Sequence, residues 1–149
     1  MIAVIACGAK KAETPQPARD LYIGTLFRKA RAAAEALQVP WLILSAKHGL
    51  LNPNQIVEPY DQQIATANVS HLRGTLYRQV QSGMIGRSQV VCDFTPEAYH
   101  RLLSEAAGRG QHFIRPVQGL GQGRCMHVYD LIVARGEIVT GAQVYGTKV

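Results

Sequence analysis

The sequence has few acidic residues, few cysteines and no long hydrophobic run. Asp and Glu number 10 against 16 Lys and Arg, which gives a formal net charge of +6. The apolar stretches are far shorter than the roughly 20 residues that a transmembrane helix needs, so no membrane association is expected. The basic balance instead favours an anionic partner such as a nucleotide, DNA or RNA.

Cysteine usage excludes a disulfide framework and predicts no metal site. Cys7, Cys92 and Cys125 lie far apart, and none of them belongs to a pair at metal-ligand spacing. No cofactor of another kind is indicated. A reduced, cytoplasmic protein fits this usage best. The apolar start of the chain has no basic segment before it, so it predicts a strand rather than a signal peptide.

Hydrophobic periodicity predicts one globular domain over residues 1–149. Strands are predicted at four places: residues 1–7, 39–44, 88–94 and 112–117. Pro116 either makes the last one an edge strand or marks its end. Four helices are predicted: Leu21–Leu37 with Asp20 as N-cap, a second from about Ser70 to Gly83, a third from Thr95-Pro96-Glu97 to Gly108, and a fourth over Cys125–Ala134.

Two segments lack a periodic pattern. Residues 45–69 form a long connection, and connections of this length are often functional. Residues 137–149 are expected to add an edge strand or to fray. The alternation of strands and helices predicts the α/β class, in three α/β/α layers with a mostly parallel central sheet of about four to five strands.

In such sheets ligands bind beyond the carboxyl ends of the strands. The first strand ends at Cys7-Gly8-x-Lys10-Lys11. Gly8 exposes backbone N–H groups, and Lys10 and Lys11 add charge for a phosphate, although the spacing does not match a P-loop. Cys7 is either a nucleophile activated by the lysines or a small buried residue.

The second strand ends at Ser45-Ala46-Lys47-His48-Gly49. This segment offers a hydroxyl, an ammonium and an imidazole, and Gly49 permits the turn that would bring them together. His48 could act as a general acid or base near neutral pH. The alternative is that Ser45 caps the turn while Lys47 and His48 are solvated.

Three further groups could complete a site. In Pro59-Tyr60-Asp61, Tyr60 can stack on a base and Asp61 can activate water or stabilise a developing cation. The alternative for this segment is an ordinary turn. Arg19 could clamp a phosphate in a bidentate manner. Gly119 and Gly121 precede a helix and could cradle a phosphate.

These segments together resemble an uncharacterised bacterial and phage domain family. The matching segments are Cys7-Gly8-x-Lys10-Lys11, Ala18-Arg19-Asp20-Leu21-Tyr22 with Leu26-Phe27, Leu44-Ser45-Ala46-Lys47-His48-Gly49-Leu50, Pro59-Tyr60-Asp61 and Gly119-Leu120-Gly121-x-Gly123. The resemblance spans most of the chain and makes these residues, Tyr22 included, candidates for a ligand site. It carries no assigned activity.

The Cys…Ser-x-x-x-Gly-Leu…Tyr-Asp order is also similar, more distantly, to accessory domains of archaeal tRNA-guanine transglycosylases. Those domains resemble the uracil-DNA glycosylase superfamily. The similarity implies a uracil-DNA glycosylase-like fold and a pocket for a base or nucleotide. The chain departs from true glycosylases, because no Gly-x-Asp-Pro-Tyr follows the first strand and no His-Pro-Ser motif appears later.

The predicted function is therefore a nucleobase- or nucleotide-handling enzyme, such as an N-glycosidase (a hydrolase) or a base- or DNA-modification enzyme. In this hypothesis Asp61 positions water or stabilises the sugar cation, and His48 or Lys47 assists the leaving base. Tyr60 stacks on the base.

Lys11 and Arg19 would hold the phosphate of the same ligand. Two other classes remain open: a nucleic-acid-binding module without catalysis that uses the same basic edge, and a thiol enzyme centred on Cys7.

Overall fold

The computed structural model describes residues 1–64 and 67–146, in which strands and helices alternate. The strands are β1 Ile2–Ala6, β2 Gln16–Pro17, β3 Trp41–Ser45, β4 Gly49–Leu51, β5 Ile56–Val57, β6 Val90–Asp93 and β7 His112–Ile114. The helices are α1 Ala18–Leu21, α2 Thr25–Ala36, α3 Val69–Gln81, α4 Glu97–Ala107, α5 Gln122–Arg135 and α6 Gly141–Tyr145. None of the described helices is long and apolar enough to cross a membrane.

Five strands form the main sheet in the order β4-β3-β1-β6-β7. The pairs β1–β3, β1–β6 and β6–β7 are parallel, and only β4 runs antiparallel to its neighbour β3. The predicted α/β class and the mostly parallel sheet of four to five strands are confirmed. The edge position predicted for the last strand is confirmed too, although β7 ends at Ile114. Strands β2 and β5 form a separate antiparallel pair.

Helices cover both faces of the sheet, which explains why β1 is apolar throughout. Ala3 and Ile5 pack on one face with residues of α2 and α5, whereas Ile2 and Val4 pack on the other with residues of α3 and α4. A strand buried on both faces has no polar position to alternate with. Burying a side chain such as that of Ile5, which is fully covered, contributes about 1.5–3 kcal/mol.

The prediction of one helix over Leu21–Leu37 with Asp20 as N-cap is wrong at its start. The chain forms α1, breaks at residues 22–24 and begins α2 at Thr25. Asp20 lies inside α1. The break has a physical reason, because this segment pairs with the loop after β1: the Ile23 N–H donates to the Lys10 carbonyl at 3.0 Å, and the Ala12 N–H donates to the Leu21 carbonyl at 2.8 Å.

The long connection 45–69 is more regular than predicted in its described part, which leaves out residues 65–66. After Ser45 the chain turns back at once, and Gly49–Leu51 pairs antiparallel with β3. The side chain of Gln79, on α3, covers the outer edge of this short strand. It accepts from the Leu50 N–H at 2.7 Å and donates to the carbonyls of His48 and Leu50 at 3.1 and 3.0 Å.

Helix starts follow the predictions less closely than helix interiors. The predicted cap Thr95 does not cap α4; its hydroxyl bonds Asp93, and Pro96 takes the N-cap position. Helix α5 begins at Gln122, before the predicted Cys125.

The predicted edge strand in 137–149 is wrong. Helix α6 forms there, started by a capping box between Thr140 and Gln143. The last three residues of that prediction, 147–149, lie outside the described residues.

Candidate functional site

The sheet has a topological switch point at β1 and β6. These strands are neighbours, yet α2 and α4, the main helices after them, pack on opposite faces. A crevice therefore opens beyond their carboxyl ends. Cys7, directly after β1, packs against the hydrophobic cores of both faces. The crevice is a cavity of about 650 Å³, within the roughly 300–1,000 Å³ of ordinary ligand sites.

We call this cavity the switch-point cavity, and most of its wall is apolar or aromatic. It is lined by Ala6, Cys7, Gly8, Leu26, Phe27, Ala30, Phe94, Thr95, Pro96, Glu97, Tyr99, Arg115, Val117, Gln118, Gly119, Leu120, Gly121, Gln122, Cys125 and Tyr129. Phe94 and Tyr129 meet edge to face, with ring centres 5.3 Å apart. Such a wall suits a flat, weakly polar group.

The N-termini of α4 and α5 border the cavity. Within the described residues, neither helix carries a side-chain hydrogen bond at its N-cap. Helix N-termini with uncapped N–H groups attract anions. Arg115 lies beside them and donates from Nη1 to Glu97 Oε2 at 2.9 Å. This hydrogen bond holds the pKa of Glu97 below its usual value.

Arg115 keeps unused donor capacity. Its side chain is only 12% exposed. Its Nε is buried and has no hydrogen-bond partner within residues 1–64 and 67–146. A buried guanidinium N–H without an acceptor costs roughly 1–3 kcal/mol. The protein itself therefore does not fully satisfy this guanidinium group.

Cys7 and Tyr99 form the polar contact on the strand side of the cavity. The Cys7 Sγ lies 3.3 Å from the Tyr99 hydroxyl. Burial, and then the nearby Cys7, raises the pKa of Tyr99 well above its usual value. Tyr99 is therefore a neutral hydrogen-bond donor at physiological pH rather than a base.

Behind Cys7 lies a chain of three hydroxyl groups, Ser45, Tyr60 and Tyr22, which we call the hydroxyl chain. Ser45 Oγ accepts from the backbone N–H groups of Lys47 and His48, both at 3.1 Å. Because these donors occupy its oxygen, the Ser45 proton points to the Tyr60 oxygen, 2.6 Å away. Tyr60 in turn lies 2.6 Å from the Tyr22 hydroxyl.

Burial keeps the hydroxyl chain protonated. It is the main cause that raises the pKa of Tyr60 to about 12, and the nearby Cys7 adds to it. Burial also raises the pKa of Tyr22, followed by the effect of Tyr60. The chain can therefore orient and polarise groups near Cys7, but it supplies no phenolate at neutral pH.

Three basic side chains surround the Tyr60 ring. The Nζ atoms of Lys11 and Lys47 lie 4.4 and 5.5 Å from the ring centre. The His48 ring meets Tyr60 edge to face at 5.2 Å. Burial, followed by the charge of Lys47, lowers the pKa of His48. His48 is therefore neutral at pH 7 and able to accept a proton.

The structure divides the predicted site residues into groups. Four of them line the switch-point cavity: Cys7, Gly8, Gly119 and Gly121. Six belong to the hydroxyl chain or surround it: Ser45, Tyr60, Tyr22, Lys11, Lys47 and His48. Gly49 forms the turn beside them, with a φ of +70° that favours glycine.

The remaining predicted residues lie apart from the cavity wall. The side chains of Lys10 and Asp61 are exposed. Arg19 donates to Asn54 and lies 3.7 Å from Asp20, so it ties α1 to the loop before β5. Their roles in phosphate binding and catalysis stay predictions. Within the described residues, no group of three or more His, Cys, Asp or Glu side chains could hold a metal ion.

Sequence reasoning missed Tyr99 and Arg115 as site residues. Tyr99 belongs to the apolar stripe of its helix, so its pattern indicates only a core position. Arg115 comes directly after the last strand of the sheet. The sequence signal that could have identified Arg115 is a charged residue at the carboxyl end of a predicted strand.

Asp93 lies at the predicted edge of the sheet, but its carboxylate is turned into the protein. Oδ1 accepts from the Thr95 N–H at 2.8 Å and from the Thr95 hydroxyl at 2.5 Å. Oδ2 lies 2.7 Å from His100 Nδ1. These contacts fix the turn between β6 and α4, which forms one wall of the cavity. The role of Asp93 in this structure is to position that turn.

Fold and site together define an α/β domain with a cavity at the switch point of a mostly parallel sheet. The chain belongs to the family of unknown function DUF6884, which matches residues 2–131. Every residue of the cavity wall lies within that range. The chain is also similar to the uncharacterized protein YfjM of Bacillus subtilis (strain 168), with 28% identity over 131 residues, 80% of this chain and 87% of that protein.

Proposed function

We propose that this protein is a nucleotide-handling enzyme that binds a nucleobase, with its sugar and phosphate, in the switch-point cavity. The observation that carries the proposal is the composition of one cavity: an aromatic, apolar wall that faces Cys7, bordered by Arg115 and two helix N-termini. A base needs an apolar, aromatic surface, and a phosphate needs a guanidinium group and helix N-termini.

The base would occupy the apolar part of the cavity. Phe27 and Phe94 are buried residues of the wall, and Leu26 completes it from the first turn of α2. Any of the bases offers a flat π-face to such side chains. Recognition of a particular base would then fall to the few polar groups at the wall, of which the Tyr99 hydroxyl is one.

The phosphate would lie against the loop before α5. Gly119 and Gly121 line the cavity there, and a Cβ at either position would meet no atom within 4 Å. The backbone is therefore open to close approach. Arg115 supplies a planar guanidinium group suited to phosphate oxygens. Glu97, the acidic residue of this wall, is already paired with Arg115.

The reaction would take place near Cys7, as release of the base or as modification of the base. The neutral His48 and the ammonium groups of Lys11 and Lys47 lie around Tyr60 behind this residue. Asp61, exposed next to Tyr60, would have to reach the sugar from the outside in an N-glycosidase reaction. The resemblance to uracil-DNA glycosylase-like domains supports a base pocket in this position, and a glycosylase-like fold is part of the proposal.

The proposal is tested by titrating the protein with nucleoside monophosphates, both ribo and deoxy, in a calorimeter. Leu26→Trp fills the apolar part of the cavity from a half-buried position, whereas Thr25→Trp adds the same bulk at an exposed neighbour. We expect binding in the wild type and in Thr25→Trp, and a loss of at least about tenfold in Leu26→Trp. Equal affinity in the two variants, or no binding to the folded wild type, would overturn the proposal.

A thiol enzyme is the second candidate, and the position of the half-buried Cys7 in the cavity wall favours it. The thiol lies 3.3 Å from a hydroxyl that stays neutral and can donate to a thiolate. The Cys7→Ser variant separates the two candidates once base release or base modification has been detected. Activity that survives the exchange excludes an essential thiol, and activity that disappears while binding persists favours it.

A further inference from the structure

A second cleft adjoins the switch-point cavity. It has a volume of about 1000 Å³ and shares Arg115 and the loop Gln118–Gln122 with the cavity. Its other walls come from the start of α5 and from α6. The two spaces are thus separated by a single loop of glycine and glutamine residues with one leucine, Leu120. One extended ligand could therefore occupy both.

The second cleft is electropositive. Among the described residues that line it, two are arginines, Arg115 and Arg124, and none is Asp or Glu. The whole chain carries a net charge of +6. A polyanion would therefore be attracted to this side of the molecule and would meet no carboxylate on the wall of the cleft.

An arginine and an aromatic ring are preassembled on the far wall. The guanidinium carbon of Arg124 lies over the Tyr145 ring, 4.5 Å from its centre. Both side chains are exposed, Tyr145 by 37%. Guanidinium and aromatic planes are surfaces on which unpaired bases stack. The capping box at Thr140 fixes the start of α6, which carries Tyr145.

The loop between the two spaces leaves its backbone accessible. Gly119 and Gly121 of this loop, and Gly123 in the first turn of α5, are exposed, and a Cβ at any of them would meet no atom within 4 Å. A phosphodiester could approach the N–H groups of this loop without a steric obstacle. Arg115 lines both the switch-point cavity and the second cleft.

We propose that the switch-point cavity and the second cleft form one binding surface for single-stranded nucleic acid. One base enters the cavity, the adjacent phosphodiester crosses the glycine loop beside Arg115, and the neighbouring nucleotide rests on Arg124 and Tyr145. This inference rests on the proposed function, since it extends the same site. A base inside a duplex could not enter the cavity without leaving its stack, so the single strand is the expected form.

The test compares a labelled hexanucleotide with a nucleoside monophosphate, using fluorescence anisotropy for the first and calorimetry for the second. DNA and RNA strands are used in parallel, and a blunt duplex of the same sequence serves as competitor. The hexanucleotide is expected to bind at least about tenfold more tightly than the monophosphate. Arg124→Ala should lower its affinity by about tenfold and reduce the salt dependence by about one charge. The same variant should leave monophosphate binding unchanged.

Arg135→Ala is the matched control, because Arg135 is an exposed arginine in the last turn of the same helix. It should behave like the wild type. Tyr145→Leu, which keeps an apolar side chain in α6, should weaken binding of the hexanucleotide and leave binding of the monophosphate unchanged.

Four outcomes would overturn the inference while the monophosphate still binds. The hexanucleotide could bind no more tightly than the monophosphate, or the duplex could bind more tightly than the single strand. Arg124→Ala could leave the affinity for the hexanucleotide unchanged, or could lower it only as much as Arg135→Ala does. If neither ligand binds the folded protein, the proposed function fails and the inference fails with it.

Discussion

Cys7 lies directly after β1, the central strand of the main sheet. It contacts the hydrophobic cores on both faces of the sheet and the Tyr99 hydroxyl, and its proximity contributes to the raised pKa of Tyr60. No other residue of the segment Cys7-Gly8-x-Lys10-Lys11 combines these contacts. The sequence predicts that Cys7 and Ser45 come together at one edge, because the carboxyl ends of parallel strands meet there. It does not predict the order Ser45–Tyr60–Tyr22, because hydrogen bonds between distant hydroxyl groups leave no periodic signal.

Gln79 is the residue whose loss should disturb the turn after β3 most. Gln79→Ala removes three hydrogen bonds at the edge of β4, and we expect it to lower the free energy of unfolding by about 1–3 kcal/mol. Urea denaturation measures this change. Gln81→Ala, an exposed glutamine on the same helix, should change it by less than about 0.5 kcal/mol. Equal effects of the two exchanges would show that Gln79 does not hold this edge.

His48 should make the protein less stable in mild acid. Burial, and then Lys47, lowers its pKa in the folded state below the usual 6.5. Protons therefore bind the unfolded state more readily than the folded state. The contribution of neutral His48 to the free energy of unfolding is fully present above pH 6.5 and is lost as the pH drops through the folded-state pKa.

The free energy of unfolding, measured between neutral pH and pH 5, tests this expectation. In His48→Gln the decrease should be smaller than in the wild type, whereas His71→Gln, at an exposed position, should follow the wild type. A His48→Gln curve parallel to that of the wild type would contradict the assignment.

At the scale of elements, long apolar patterns are predicted well and short segments are not. The strands β1, β3 and β6 and the helices α3, α4 and α5 lie where periodicity places them, because each buries a continuous apolar face. Strand β4 has three residues and depends on a side chain of α3 for its outer hydrogen bonds. The break before α2 depends on pairing with residues 10–12. Both are tertiary effects, which a local pattern does not contain.

Replacing glycine by alanine at the two ends of α5 should change the stability of the protein in opposite directions. Gly136 ends the helix at a φ of +67°, where a Cβ is strained, so Gly136→Ala should destabilise the protein by about 1 kcal/mol. Gly123 has ordinary helical surroundings with open space around it, so Gly123→Ala should stabilise the protein by about 0.5 kcal/mol. Thermal unfolding of the two variants gives the comparison, and shifts of equal sign would contradict the described helix end.

At the scale of the whole molecule, the fold class, the sheet and the edge that carries the site follow from the sequence. The cavity itself does not, because it is formed by the loops after three strands and by residues of three helices, α2, α4 and α5. Arg115 and the N-terminus of α5 come to lie beside the N-terminus of α4 because β7 pairs with β6. The basic composition indicates an anionic partner, and the structure adds a surface on which positive charge and aromatic side chains meet.

The most direct test of the account is to map amide chemical shifts by NMR while a nucleoside monophosphate is added to the ¹⁵N-labelled protein. We predict the largest shifts at Gly8, Glu97 and Gly121, which lie on three sides of the switch-point cavity. Shifts centred instead on the groove around Gly83 and Gly108, at the opposite edge of the sheet, or the absence of localised shifts, would contradict the central claim that the switch-point cavity is the nucleotide site.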